Sequence, residues 1–444
     1  MRLLFTFCFL FIAFIPCRSQ SGFQIDHNKR KIVIPFKLIN NLIFIPIKVN
    51  GETLTFLLDT GVEETVLFSL DDKEQVSLYH LEKIMLKGLG GNNAAEAYKS
   101  SRNKLEVNGF TDKEHEIYLV LDQEFNFSSQ VGIPVNGIIG YHFFKNHLVE
   151  IDYDRKKVTV YADNHPKIVK RLNRYFTKEP LLIEENKPYY YATVESAGKR
   201  CEAKLLIDTG NSDAIWLFLN RTNQVELPAK NIDDFLGRGF SGNVYGKRGR
   251  ISRFTFGNHS FANAIGTFPD STSIKSVNFV KDRVGSLGGE VLSRFSVFFD
   301  YPNHLIFTKS NHNVNQPFNF NMSGIEVQHD GLEWVKETYE DPGAKGVTIK
   351  MGTTNEGRFQ DNLRIKFELK PVFKIYNVRA GSTAELAGLQ KDDKILKINK
   401  QNAHALSIEK INELLKSEEG KIIEMEVDRK GHVYTFRFQL KSII

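Results

Sequence analysis

Phe56-Leu57-Leu58-Asp59-Thr60-Gly61, continuing to Val66-Leu67-Phe68, and Leu205-Leu206-Ile207-Asp208-Thr209-Gly210, continuing to Ile215-Trp216-Leu217-Phe218, are two copies of one pattern in a chain of 444 residues. Each copy is an apolar run, a polar triplet ending in glycine, and a second apolar run. That order reads as strand, tight turn, strand. At average composition a single Asp-Thr-Gly turns up by chance in roughly one chain in ten of this length. Two copies in the same setting mark a duplication, and the flanks repeat as well. Glycine-rich stretches, Gly88-Leu89-Gly90-Gly91 and Gly237-Arg238-Gly239-Phe240-Ser241-Gly242, begin 29 positions after each Asp. An apolar run ending in glycine, Ile138-Ile139-Gly140 and Leu287-Gly288-Gly289, closes each copy, with Gly140 and Gly289 both 81 positions past the Asp. A period of 149 residues is too long for a solenoid and fits a duplicated domain.

The repeated unit reads as all-β. Lys31 to Phe36, Ile43 to Ile47 and Ile117 to Leu121 are short β-branched or aromatic runs bounded by turn residues. Arg155-Lys156-Lys157 and Pro302-Asn303-His304 read as hairpin tips. Helical periodicity is scarce before residue 380, apart from short candidates after Gly140 and Gly289. Gly237 to Gly242 spells G-x-G-x-x-G, a dinucleotide signature only where a helix follows. The residues after it, Asn243-Val244-Tyr245 and Arg253-Phe254-Thr255-Phe256, read as strands, so a β-flap is expected. The chain has no H-E-x-x-H, no Cys/His cluster and no G-x-S-x-G.

These residues resemble the retropepsin-like and pepsin-like aspartic peptidases over roughly residues 25 to 310. The resemblance implies two tandem lobes paired about a dyad, a mainly β bilobal barrel fold, with Asp59 and Asp208 as the catalytic pair. It also implies that Thr60 and Thr209 join the two loops, that Gly61 and Gly210 allow close approach, and that Gly90, Gly91, Gly239 and Gly242 belong to flaps over the substrate. Two carboxyls about 3 Å apart cannot both ionise and so share one proton, the arrangement for which aspartic proteases are the known case. The ionised partner takes a proton from water and the protonated one donates to the scissile carbonyl, with no metal or other cofactor. The sequence departs from the family after the glycine, where Val62 and Asn211 stand in place of the frequent Ser, Thr or Ala.

A polar stretch, residues 310–317, separates this repeat from a third region. There Val372 to Val378 is followed by Gly381-Ser382-Thr383-Ala384-Glu385-Leu386-Ala387-Gly388-Leu389, then Asp393-Lys394-Ile395-Leu396-Lys397-Ile398-Asn399, and an amphipathic run from Ile408 to Leu415. The succession resembles a bacterial PDZ domain, which implies a groove for an extended peptide bound by strand addition. Val372, Phe373 and Ile375 would supply the strand side, and Ile408, Ile411 and Leu415 the helix side. Residues 330–364 fit the pattern poorly and read as an insertion. Glu368-Leu369-Lys370-Pro371 falls where a carboxylate-binding loop belongs, without its usual glycines.

Residues 1–19 have a positive start, an apolar run from Leu3 to Ile15 and small residues before Gln20, as in a cleaved signal peptide. The expected organisation is therefore a leader over 1–19, lobes over 20–165 and 166–315, and the PDZ-like domain over 316–444, exported to a bacterial envelope or beyond. Pro16 argues against lipid attachment at Cys17. Cys201 is then the single cysteine of the mature chain, expected in the core. A formal charge of +6 without a basic run gives no nucleic-acid partner, and no later segment has 18 consecutive apolar residues. The expected partners are peptide or protein substrates and a peptide in the PDZ groove. A non-catalytic peptide-binding protein or a scaffold of the same fold is the alternative.

Overall fold

The computed structural model describes residues 22–68, 76–86, 95–121, 127–162, 166–219, 225–239, 242–275, 279–340 and 363–444. The expected leader and the glycines Gly90 and Gly91 lie outside them. Two large sheets, one per lobe, stand on a third sheet that both lobes build. The shared sheet runs Thr177–Pro180, Leu305–Ser310, Phe295–Asp300, Leu148–Asp152, Lys157–Tyr161, Lys31–Pro35. Its seam is the antiparallel pair Leu148–Asp152 and Phe295–Asp300, with Glu150 opposite Phe298. The lobes thus share a backbone hydrogen-bond ladder. Lys31–Pro35 alternates exposed and buried residues, as a strand with one covered face must, and Pro35 closes it at the sheet edge.

Inside each lobe the Asp-Thr-Gly strand pairs in parallel with the later apolar strand. Glu52–Leu58 lies beside Gly137–Ile139, and Lys199–Ile207 lies beside Arg283–Leu287. That later strand in turn pairs antiparallel with the strand after the triplet, Thr65–Leu67 or Ile215–Leu217. The ladder corrects one alignment. Asp59 N–H donates to Ile139 O and Asp208 N–H to Leu287 O, both at 2.9 Å. The counterpart of Gly140 is therefore Gly288, not Gly289, and the equal spacing of 81 is a coincidence. A register shift at Lys204/Leu205 accompanies the offset. Both glycines are needed for the same reason: a Cβ would stand 2.1 Å from Val62 O at Gly140 and 2.2 Å from Asp213 O at Gly288.

Both expected hairpin tips are present, and so are short helices Tyr141–Phe144 and Gly289–Leu292. A ten-residue helix, Pro166–Tyr175, was not expected. Proline at its first position and Ile168 with Leu172 on one face carry its signal, and Leu172 packs against Tyr161, Phe298 and Phe307 beneath the shared sheet. Cys201 is buried in the core with its thiol free. No helix of the described residues is long and apolar enough to cross a membrane.

The C-terminal domain is a sheet in the order Ile325–Glu340, Leu363–Val378, Lys394–Ile398, Ile422–Arg429, His432–Gln439, covered by the helix Ile408–Leu415. The stretch expected as a free polar linker is instead fastened to lobe 2. Arg294 donates to the carbonyls of Val314 and Gln316 and lies 3.8 Å from the centre of the Phe318 ring.

Candidate active site

The two triplets meet at the lobe interface. Thr60 N–H donates to Thr209 Oγ1 at 3.0 Å, and Thr209 N–H donates to Thr60 Oγ1 at 3.1 Å. Each hydroxyl then crosses to the other strand, Thr60 Oγ1 to Ile207 O at 2.6 Å and Thr209 Oγ1 to Leu58 O at 2.7 Å. Both threonines are wholly buried, so these four bonds lock the loops without competition from water. Gly61 N–H holds Asp59 Oδ1 at 2.7 Å and Gly210 N–H holds Asp208 Oδ1 at 3.1 Å. The glycines are dictated by the opposite lobe. A Cβ on Gly210 would stand 2.1 Å from Asp59 Oδ2, and one on Gly61 would stand 2.9 Å from Asp208 Oδ1.

The Asp59 and Asp208 carboxyls face each other closely enough that a single Cβ on Gly61 would stand 3.0 Å from Asp59 Oδ1 and 2.9 Å from Asp208 Oδ1. Burial raises Asp59 well above the ordinary carboxylate range, and the Asp208 charge adds to the rise. Burial also raises Asp208, but the Arg283 guanidinium pulls it back, as does the backbone N–H of Asn211. Burial thus raises both carboxyls, and the charge of Arg283 opposes that rise at Asp208, so the two stand in unequal surroundings. Arg283 was not foreseen. It is buried against the rings of Phe218 and Phe279 and donates to Gly285 O at 3.1 Å and Ser286 Oγ at 2.8 Å. Among the described residues no group of three His, Cys, Asp or Glu could hold a metal ion.

Comparison with known proteins matches residues 45–143 to the aspartyl protease family and residues 374–429 to the PDZ domain. The chain carries an aspartyl protease domain and a PDZ domain. The first match covers one lobe, and the second lobe repeats its strand pairing and its triplet geometry. Among solved structures, conglutin gamma, a basic 7S globulin from lupine seeds, aligns with a TM-score of 0.39 at 11% identity, covering 64% of this chain and 95% of that chain. No curated protein matches the chain.

The flap residues separate into two cases. Gly90 and Gly91 fall between the paired strands Glu82–Leu86 and Ala95–Val107, outside the described residues. Gly239 pairs with Gly242 at the end of the hairpin Asn231–Gly239 and Gly242–Arg250, with no helix after the glycines. The second strand of that hairpin pairs within lobe 2 with Ile265–Pro269, and the hairpin also touches the PDZ domain. Phe235 lies 5.6 Å from the Tyr376 ring, and Tyr376 Oη donates to Asn243 Oδ1 at 3.0 Å.

The PDZ groove needs a correction. Val372, Phe373 and Ile375 sit in a strand paired on both sides, with Phe373 opposite His329 and also opposite Ile395. Strand addition requires a free edge, which this strand lacks. The edge strand is Ile325–Glu340, and the helix Ile408–Leu415 lies against it. Ile408, Ile411 and Leu415 are buried core residues. The expected insertion extends the two strands as a ribbon, Leu332 opposite Pro371 and Trp334 opposite Leu369, so residues 368–371 form no carboxylate loop. The segment before the edge strand, Asn321 to Gly324, is the one beside the helix, with Met322 N–H donating to Leu415 O. Its donors are already taken: Asn321 Oδ1 accepts from Ser323 N–H, Ser323 Oγ and Gly324 N–H. The edge itself is roofed. The lobe 1 helix Phe127–Val131 lies against the edge strand, and a Cβ on Gly132 would stand 3.1 Å from Ile408 Cγ2. A cavity of about 710 Å³ remains between the PDZ domain and both lobes, lined by Gln130, Asp213, Arg248, Glu290, Glu326 and Lys416 among others, and it does not include the carboxyl pair.

Proposed function

We propose that the chain is an aspartic endopeptidase that hydrolyses peptide bonds with a water held between Asp59 and Asp208. The observation that carries this reading is the pair of facing carboxyls, held together by loops reciprocally locked through Thr60 and Thr209. In the resting state Asp59 holds the shared proton and Asp208 is the carboxylate. Asp208 takes a proton from water as that water attacks the scissile carbonyl carbon. Asp59 donates its proton to the carbonyl oxygen, giving a tetrahedral diol. Collapse of the diol breaks the C–N bond: the proton gained by Asp208 passes to the leaving amine, and Asp59 takes a proton back from one diol hydroxyl, whose oxygen becomes the carbonyl of the new carboxyl group. One water is consumed and the pair returns to one shared proton. The substrates are peptide or protein chains. We further propose that the protein is exported, on the leader-like residues 1–19.

The test is incubation of the purified chain with a diverse peptide mixture from pH 3 to 8, beside the Asp59→Asn variant. New termini produced by the wild type and not by the variant support the reading. Equal products from both, or none from either, reject it in favour of a peptide-binding protein of the same fold.

A further inference from the structure

Between the PDZ domain and the Asp208 loop runs one continuous line of part-buried polar contacts. Arg379, at the end of the strand Leu363–Val378, donates to Asp234 Oδ1 at 3.4 Å. Asp234 Oδ2 accepts from Arg248 Nε at 2.9 Å, and Arg248 donates onward to Asp213 Oδ1 at 2.9 Å and Thr267 Oγ1 at 3.0 Å. Asp213 N–H donates to Asn211 Oδ1 at 2.9 Å, and Asn211 N–H donates to the main-chain O of Asp208 at 3.3 Å. Arg379 and Asp234 have side chains only 6% and 8% exposed, so their charges have no water to fall back on. Asp213 is bound from a further side by Trp216 Nε1 at 2.8 Å. Burial alone would raise its carboxyl, yet Arg248 and Trp216 hold it below the ordinary range. It is therefore a fixed charge that clamps the loop from Asp208 to Asp213.

We propose that Arg379, Asp234, Arg248 and Asp213 are positioning residues through which the PDZ domain fixes the loop that carries Asp208, making that domain a structural part of the catalytic site. This rests on the peptidase reading for its kinetic consequence and on the ion-pair line alone for its structural one. Removing a link leaves a buried charge uncompensated, and the loop relaxes to meet it. The carboxyl pair then loses alignment for attack, while the rest of the peptide-binding cleft is untouched. Turnover should fall without a matching change in KM.

The experiment uses the full chain and a short peptide with one scissile bond, too short to engage the PDZ domain as well. Asp234→Asn and Arg379→Ala should each lower kcat about threefold to thirtyfold with little change in KM. Arg379→Lys, which keeps a charge facing Asp234, should restore part of the loss. The combined variant should be no worse than the more damaged single one, because both cut the same line. In parallel, hydrogen–deuterium exchange should quicken over residues 208–214 and stay unchanged over Leu148–Asp152. Unaltered kcat with unaltered exchange at 208–214 overturns the proposal, as do losses that simply multiply in the double variant. If the wild-type chain cleaves nothing, the peptidase reading fails separately, and the exchange at 208–214 alone decides whether the PDZ domain fixes the loop.

Discussion

The loops after the two triplets, Val62-Glu63-Glu64 and Asn211-Ser212-Asp213, are braced the same way and charged differently. In each lobe an Asn-bearing turn with positive φ reaches across to the other lobe. Asn41 Nδ2 donates to Ser212 O at 3.1 Å, and Asn186 Nδ2 donates to Glu63 Oε1 at 2.6 Å. The bracing is a product of duplication and keeps its symmetry. The charge does not: Asn211 and Asp213 tie the second loop to Arg248, and the largest charge acting on Asp208 is Arg283, whereas the largest acting on Asp59 is Asp208 itself. A duplicated scaffold sets two like carboxyls together, and the diverged surroundings make their electrostatic settings unequal. The comparison breaks most sharply at the carboxyls. Asp59→Asn and Asp208→Asn should each lower kcat/KM about 10³-fold on a peptide substrate, with the melting transition retained. Near-normal activity in either variant would mean that the two lobes do not form one site.

The crossed threonines test the symmetric half of the comparison. Thr60→Val deletes the donor to Ile207 O and the acceptor for Thr209 N–H, both buried. Thr209→Val deletes the mirror pair to Leu58 O and from Thr60 N–H. Each should cost about 2–4 kcal/mol in denaturant unfolding, since two buried groups lose partners. Unequal losses beyond about 1 kcal/mol would show that one lobe carries the lock, contrary to the four bonds.

The symmetric half is also the part that the sequence discloses. Asp-Thr-Gly after an apolar strand carries its turn and its glycine in six residues, so the duplication and the all-β lobes could be read directly, and the family resemblance implied the pairing of Asp59 with Asp208 and of Thr60 with Thr209. What could not be read is whatever depends on three-dimensional neighbours. Arg283 looks like an ordinary strand residue, and only the fold turns it toward Asp208. The groove residues Val372, Phe373 and Ile375 carry the right apolar pattern, but that pattern does not distinguish an edge strand from a central one, and the pairing on both sides overturned the choice. The Gly140 counterpart slipped by one because two adjacent glycines, Gly288 and Gly289, offer the same letter and only the ladder tells them apart. The charged line from Arg379 to Asp213 joins residues up to 166 positions apart and leaves no local trace.

The ladder that moved the glycine also pairs His142 with Glu290, the second residues of the two short helices. Burial pushes both toward neutrality by opposite routes. His142 falls to about 4, by burial and then the charge of His115. Glu290 rises to about 7, by burial ahead of any neighbour. The signs follow from proton counts. Between about 4 and 6.5 the unfolded chain binds more protons at His142, so that residue's contribution is lost as the pH falls. Between 4.5 and about 7 the folded chain binds more protons at Glu290, so its contribution is lost as the pH rises. Glu290→Gln should remove that decline and gain about 1–2 kcal/mol at pH 8 relative to pH 5 in urea unfolding. A variant whose stability tracks the wild type from pH 5 to 8 would show that Glu290 is hydrated in the cavity it lines.

The smallest effect sharpens the comparison most, because it concerns the unequal charge alone. Arg283 lowers Asp208 by its charge, whereas the largest charge acting on Asp59, that of Asp208, adds to the rise that burial causes. In Arg283→Gln the amide can still donate a hydrogen bond at that place, toward Gly285 O or Ser286 Oγ, but the positive charge is gone. The first proton to leave the carboxyl pair would then leave at higher pH. That step controls the acid limb of kcat/KM, because catalysis needs one carboxylate in the free enzyme. The acid limb should therefore move to higher pH, while the plateau above it falls little. The basic limb belongs to the second proton, held on Asp59, and should move less, since Arg283 acts through Asp208. A profile whose two limbs shift equally would make Arg283 a general field on the pair. A profile that does not shift, with the melting temperature unchanged, would show that the Arg283 charge is screened from Asp208 and that the two halves of the pair are equivalent after all.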